Sequence, residues 1–203
     1  YPLIDGVVNG CPSHLLEPSR TNNFVQSNQF NTSWNLNNGL TLTGNQLSTL
    51  SGVLNAWKLE SDGSSGFLSL SQVVSVSGTN TFSIYAKAGT NRYISLRSLS
   101  GVDVRAQFDL QNGEVYGSNN VVSANIEHIK DGWYRCDVTL NASNNAFYIY
   151  PNIQGVATAG NIYIQYSQLE GGSFPTSIIP TTTSSVTRSA ETANGAGDAS
   201  TFN

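Results

Sequence analysis

Polar and apolar residues alternate one by one through most of the middle of this chain. In TFSIYAKA (81–88), Phe82, Ile84 and Ala86 fall on one side, with Ser83, Tyr85 and Lys87 on the other. VRAQFDL (104–110) sets Val104, Ala106, Phe108 and Leu110 against Arg105, Gln107 and Asp109. WYRCDVTL (133–140) sets Tyr134, Cys136, Val138 and Leu140 against Trp133, Arg135, Asp137 and Thr139. Successive side chains of a strand leave the backbone on opposite sides, so a period of two predicts strands with one buried face. No stretch carries the 3.6-residue period of a helix. Gly, Asn and Asp punctuate the runs at short intervals, as at Asp62-Gly63, Asp131-Gly132, Asn144-Asn145 and Gly160-Asn161. In FDLQNGEV (108–115), Asn112-Gly113 predicts a type I′ hairpin with Leu110 opposite Val115 on the core side. About ten strands joined by tight turns predict an all-β fold, a jelly-roll β-sandwich.

The ends break this pattern. Residues 1–22 hold Pro2, Pro12 and Pro18 without a regular period and read as an extended arm, which leaves 23–170 for the sandwich. Residues 171–193 carry Pro175 and Pro180 among many Thr and Ser. Proline removes a donor and fixes φ, so this segment is expected to be extended, largely outside the ladders and packed back on the domain. Arm and tail are expected to meet through a clamp of Glu17, Arg20 and Arg188. Residues 194–203 are small and polar and read as a linker to a following domain, so the chain is expected to be a piece of a longer one.

Composition narrows the functional classes. Charged residues are 11% of the 203, against roughly 25% in an average soluble protein. The aromatic content of 10% speaks against a solvated coil. With a net charge of −4 and only nine Lys and Arg, the chain lacks the electrostatic footprint that nucleic acid requires. No apolar run approaches the roughly 20 residues that span a bilayer, and the start has no basic region followed by an apolar one. Neither nucleic acid nor membrane is expected as a partner.

Catalytic and metal-binding patterns are weak. Cys11 and His14 have the C-x-x-H spacing of half a zinc site. The spacing from His128 to Cys136 completes no ligand pattern, and Cys136 is expected to pack as a small apolar group. There is no G-x-S-x-G elbow. Asp109 and Asp137 form the one plausible carboxylate pair for glycoside chemistry, but they sit beside Arg105 and Arg135 as solvated strand-face charges would. No catalytic residue is assigned. More informative are the outward strand positions, where rings alternate with Arg and Gln. Tyr85, Arg97, Arg105, Gln107, Arg135, Tyr148, Tyr150 and Tyr163 are the candidates. Sugars present apolar C–H faces to rings and hydroxyls to planar polar groups, so such a face suits a neutral or acidic glycan. Interfaces enrich the same residues, so an arm, a neighbouring domain or a second copy fits equally.

GCPSHLLEPSRTN (10–22), FSIYAKA (82–88), GWYRC (132–136) and QLEGGSFPTSIIPTTTSSVTRSAE (168–191) together resemble a recurrent domain of phage virion fibre and tail proteins. The resemblance implies a jelly roll flanked by arm and tail. It also implies a non-enzymatic structural and recognition role, a homotrimer in contact with other virion proteins, a place on the virion surface, and weak adhesion to a host-surface glycan. A fainter similarity is to jelly-roll carbohydrate-binding modules of secreted polysaccharide-degrading enzymes, carried by Asn28, Phe30-Asn31 and Trp34. That similarity implies the alternative function and a structural calcium. Here Asn31, Gln165 and Tyr166 stand where that family has acids, which leaves at most a weak calcium site on backbone carbonyls and Asn. No other cofactor is expected.

Overall fold

The computed structural model describes residues 16–47, 52–100 and 102–191, with two short paired strands nearer the start. The strands are β1 (Leu3–Ile4), β2 (Val7–Val8), β3 (Arg20–Asn22), β4 (Asn35–Leu36), β5 (Leu40–Leu47), β6 (Leu54–Asp62) and β7 (Leu70–Ala88). They continue with β8 (Tyr93–Ser100), β9 (Val102–Asp109), β10 (Glu114–Asn119), β11 (Ser123–Lys130), β12 (Trp133–Tyr150), β13 (Ala159–Gly171) and β14 (Val186–Arg188). The described residues contain no helix, and all strand pairs are antiparallel. The fold is an all-β sandwich of jelly-roll type.

Two long strands hold its layers together. β7 and β12 run side by side from Trp133 opposite Lys87 to Ile149 opposite Leu70. At the Trp133 end they lie between β11 on one side and β13, β6 and β5 on the other, forming the first layer. At the Ile149 end they lie between β8, β9 and β10 on one side and β4 on the other, forming the second. Inward positions of β12 change parity on the way. Cys136, Val138 and Leu140 are buried, then Phe147 and Ile149, with a register irregularity between Ser143 and Asn145. There β7 advances three residues, Ser77 to Val74, against two of β12, Ser143 to Asn145, and this one-residue shift lets β12 change inward parity while both halves stay aimed at one core.

The alternation read from the sequence marks that core correctly. Phe82, Ile84, Ala86, Val104, Ala106, Phe108, Leu110, Cys136, Val138 and Leu140 all belong to it. Phe82 of the first layer and Phe147 of the second meet edge to face at 5.7 Å, and Phe24, just after β3, packs edge to face on both at 5.2 and 5.6 Å. Such pairs add roughly 0.5–1.5 kcal/mol each beyond burial, so this triangle ties the layers to the incoming chain.

The β9–β10 hairpin departs from expectation. Asp109 faces Glu114 and Phe108 faces Val115, so the loop spans 110–113 and the register is displaced from the two-residue turn. The Asp109 carboxylate accepts from the backbone N–H of Gln111 (3.0 Å) and Asn112 (3.3 Å), and its carbonyl accepts from Gly113 N–H (2.8 Å). This side-chain cap stabilises the longer turn. It also lets Leu110 reach the core, while Val115 stays exposed.

The tail covers part of the outer face of the first layer. Thr81 Oγ1 donates to Gly172 O (2.9 Å), Thr139 Oγ1 to Ser173 O (3.2 Å) and Arg135 Nη2 to Thr176 O (2.6 Å). Glu170, wholly buried, accepts from Gln168 Nε2, Thr176 N and Thr176 Oγ1 at 2.6, 2.8 and 2.7 Å. Asn22, also wholly buried, joins arm, β13 and tail. Its amide donates to Ser167 O and Ile179 O, and its oxygen accepts from Phe24 N and Leu169 N. Every polar atom of that side chain is thereby used, the condition under which a buried amide stabilises.

Candidate functional site

Strand register brings some of the candidate residues into one line on the outer face of the second layer. Tyr148 on β12 stands opposite Ser71 on β7 and Arg97 on β8, and Arg97 stands opposite Arg105 on β9. Gln107 follows Arg105 on the same face, opposite Ser95. Asp103 lies between the two guanidiniums, accepting from Arg97 Nε at 2.6 Å and Arg105 Nη1 at 2.7 Å. Burial alone would lower the Arg97 pKa, but its hydrogen bonds to Asp103 and Tyr150 outweigh this and raise it. The guanidinium of Arg97 lies 5.8 Å from the centre of the Tyr148 ring, and Arg105 Nη1 also reaches Gln154 Oε1 at 3.3 Å. Beside this line run the exposed apolar side chains of Val73 and Leu99, both opposite Ala146. The result is a half-buried ring and an apolar strip beside two pre-oriented guanidiniums, a carboxylate and two amides.

The remaining candidates are placed otherwise. Tyr150 is only 2% exposed, and its hydroxyl accepts from Arg97 Nη1 at 3.3 Å. It therefore braces Arg97 and offers no outer surface, a correction to its outward reading. Arg135 is likewise buried, on the first layer, with its guanidinium 5.5 Å from the Tyr85 ring centre. It donates to Ser83 Oγ and Thr176 O and fastens the tail to the sheet, so it is structural. Tyr85 is largely buried there, which raises its pKa against the pull of Arg135. Tyr163 is half-buried on the same layer, between Lys87 and Lys58.

At the chain entry, Arg188 Nη1 lies 2.6 Å from Glu17 Oε2, and β3 pairs with β14, Arg20 opposite Arg188. Burial opposes ionisation of Glu17, but hydrogen bonds from Ser177 and the charge of Arg188 win and lower its pKa. Arg20 turns the other way, its Nε 3.8 Å from Glu170. Glu191 N donates to Glu17 O at 3.0 Å, so residues 17 and 191 lie side by side.

Asp109 and Asp137 do not form a pair. Asp109 ends β9 in the second layer and is held by Arg92, while Asp137 faces Ser83 and Asn125 in the first. Both are buried, which corrects their reading as solvated strand-face charges. Cys11 and His14 lie outside the described residues. His128 is exposed against Tyr134, and Cys136 is buried and free. No cluster of His, Cys, Asp or Glu suited to a metal occurs among the described residues.

Of the module-like pattern, Asn28, Gln165 and Tyr166 come together with Asn55, while Asn31 is not in this hydrogen-bonded group, and the group's chemistry does not fit calcium. Asn28 Oδ1 accepts from Tyr166 N–H (3.0 Å), Gln165 Nε2 donates to Asn55 Oδ1 (2.6 Å), and Asn55 Nδ2 donates to the Tyr166 hydroxyl (2.9 Å). Calcium needs several oxygen ligands with carboxylate charge. Here the side chains are neutral, and Asn28 Oδ1 and Asn55 Oδ1 already accept hydrogen bonds from Tyr166 N–H and Gln165 Nε2.

Sequence reasoning missed Asp103, Gln154, Val73 and Leu99. Asp103 shares the outward parity of Arg105 and was legible in VDVR. The other three join the site only through strand pairing and loop placement.

No family model matches the chain, and no curated protein sequence does. Among solved structures it is similar to the enzymatically active domain of tailspike protein 4 of bacteriophage CBA120, at 14% identity and a TM-score of 0.42. That match covers 73% of this chain and 21% of the tailspike chain, so this chain spans about a fifth of that relative. It is also similar to TmCBM27, a carbohydrate-binding module that recognises mannan, at 13% identity and a TM-score of 0.37, covering 78% of this chain and 98% of the module. At such identities and superpositions no residue role passes from either protein to this one.

Proposed function

We propose that this is a non-enzymatic recognition domain of a phage fibre or tail that adheres weakly to a host-surface glycan through the β8–β9–β12 face. The observation that carries the reading is the line Tyr148–Arg97–Arg105 with Asp103 between the guanidiniums. Salt bridging to one carboxylate holds both arginines in place before a ligand arrives, which lowers the ordering cost of binding. Tyr148, Val73 and Leu99 supply the apolar surface for a sugar face, and Gln107 and Gln154 supply amide partners for its hydroxyls. The carboxylates read from the sequence lie in different layers, so that pair supports no glycosidase geometry.

The domain works in this proposal as part of a homotrimer, where weak sites add by avidity. A carbohydrate-binding module of a secreted polysaccharide-degrading enzyme would use the same face as a monomer. Glycan-array binding of wild type and Tyr148→Ala, with sedimentation on the same preparation, tests both points. Binding lost with Tyr148→Ala in a trimer is the expected result. A monomer with the same loss favours the module. Binding that Tyr148→Ala leaves intact removes this face from the reading.

A further inference from the structure

A second line of side chains crosses the outer face of the first layer. Lys130 on β11 stands opposite Trp133 on β12, Trp133 opposite Lys87 on β7, Lys87 opposite Tyr163 on β13, and Tyr163 opposite Lys58 on β6. Cross-strand partners share a face, and the neighbouring Ala86, Ile164 and Leu59 point into the core, so this line faces outward. Five adjacent strands thus present Lys, Trp, Lys, Tyr and Lys in order. These are all three lysines of a chain with a net charge of −4.

The tail's hydrogen bonds to the sheet stop short of this line. Those to β12 run from Thr139 to Arg135, and among the described residues none reaches Trp133. A cavity of about 360 Å³ opens between Gln46, Lys87, Trp133 and Tyr163. Trp133 is nearly buried and forms its floor, while Lys87 and Tyr163 are half-buried at its sides. No described lining residue is acidic. Lys58 is held by Glu60 at 2.9 Å, whereas Lys87 and Lys130 form no ion pair among the described residues. Glu127, opposite Arg135, and Asp131, in the turn after Lys130, are the other carboxylates bordering the line.

An ammonium group flanked by two rings on an otherwise acidic protein has a ligand chemistry of its own. We propose that this line binds an acidic saccharide, a chain of pyranose rings bearing carboxylates. Lys87 takes the carboxylate of the ring seated against Tyr163 above the Trp133 floor, and Lys58 and Lys130 meet the acids on either side. Adjacent strands lie roughly 4.8 Å apart, so neighbouring lysines of the line stand roughly 10 Å from one another. That suits a polymer with an acid on alternate rings, or on every ring with alternate acids used. Three cations are too few for a nucleic acid, whose binding grows with the number of phosphates neutralised.

The site is separate from the Tyr148 face, and its test separates the two. The intact protein is titrated calorimetrically with an oligogalacturonate and with its methyl ester, which keeps the rings and removes the charge. The acid is expected to bind about tenfold more tightly than the ester. Its affinity is expected to fall as salt is raised to physiological strength. Lys87→Gln and, independently, the exposed Lys130→Gln are expected to weaken it, with Tyr148→Ala unchanged. Equal binding of acid and ester, no binding of the acid, or loss in Tyr148→Ala with both lysine variants unaffected would each overturn the proposal.

Discussion

Asp137 offers a direct test of how the covered part of the first layer's outer face is held. Its side chain is only 4% exposed, between Ser83 on β7 and Asn125 on β11, with the Asn125 amide a distant 3.4 Å from its carboxylate. Burial pushes its pKa up from 3.8 to about 6, the Asn125 hydrogen bond and the Arg135 charge offset only part of this, and Glu127 adds to it. The folded chain therefore holds this proton more tightly than the unfolded chain. Between pH 3.8 and about 6 stability contributed by this group falls as pH rises, and above about 6 the loss is complete. At about 1.4 kcal/mol for each pKa unit, the carboxylate costs the fold about 2–3 kcal/mol at neutral pH. Asp137→Asn keeps the shape and an acceptor for Asn125 while removing the charge. It is expected to raise stability at pH 7.5 by about 2–3 kcal/mol, roughly 5–10 °C in Tm for a domain of this size. At pH 4 variant and wild type should agree. Urea denaturation of both proteins across that range gives the difference directly, and the opposite acid-side losses from Glu17 and Asp109, whose pKa values are lowered, cancel in it. A difference that is absent, or the same at both pH values, would refute the reasoning.

Other outcomes follow from the same contacts. Glu170→Ala removes the acceptor of three short hydrogen bonds and is expected to cost about 3–5 kcal/mol. It should also open the segment around Thr176 to protease, and an unchanged cleavage pattern would contradict its anchoring role. Phe24→Ala breaks the ring triangle and should cost about 3–5 kcal/mol by thermal melting. Glu17→Gln weakens a partly exposed pair with Arg188 and should cost only about 1 kcal/mol, with the effect shrinking in high salt. Chelation should leave Tm unchanged, because neutral amides join Asn28, Asn55, Gln165 and Tyr166; a chelator-induced drop would show an ion bound there or elsewhere.

Much of the core was legible because strand periodicity has only two phases. Once Phe82, Phe108 or Cys136 is taken as inward, its neighbours two residues away follow. Arg135, Asp137 and Tyr150 take the outward phase read from the sequence and are nevertheless buried. Parity says which side of a sheet a residue is on, and not whether another segment lies over that side. The tail from Gly172 to Thr181 covers part of the first layer's outer face and leaves the Tyr148 face open, through carbonyl and threonine contacts that no local pattern announces. The β9–β10 turn was misjudged because Asp109 caps a longer loop, so a side chain overrode the Asn-Gly preference.

By itself the sequence determined the all-β class, the inward sets at 81–88, 104–110 and 133–140 and the exclusion of a strongly basic surface, since these depend on alternation and charge within short windows. Only the tertiary structure decided which strands lie side by side. Register between residues far apart in the chain sets Tyr148 beside Arg97 and gathers Lys58, Lys87 and Lys130 into one line. Those pairings arise from closing two layers on a common core, an energy that belongs to the whole domain and to no single segment of it.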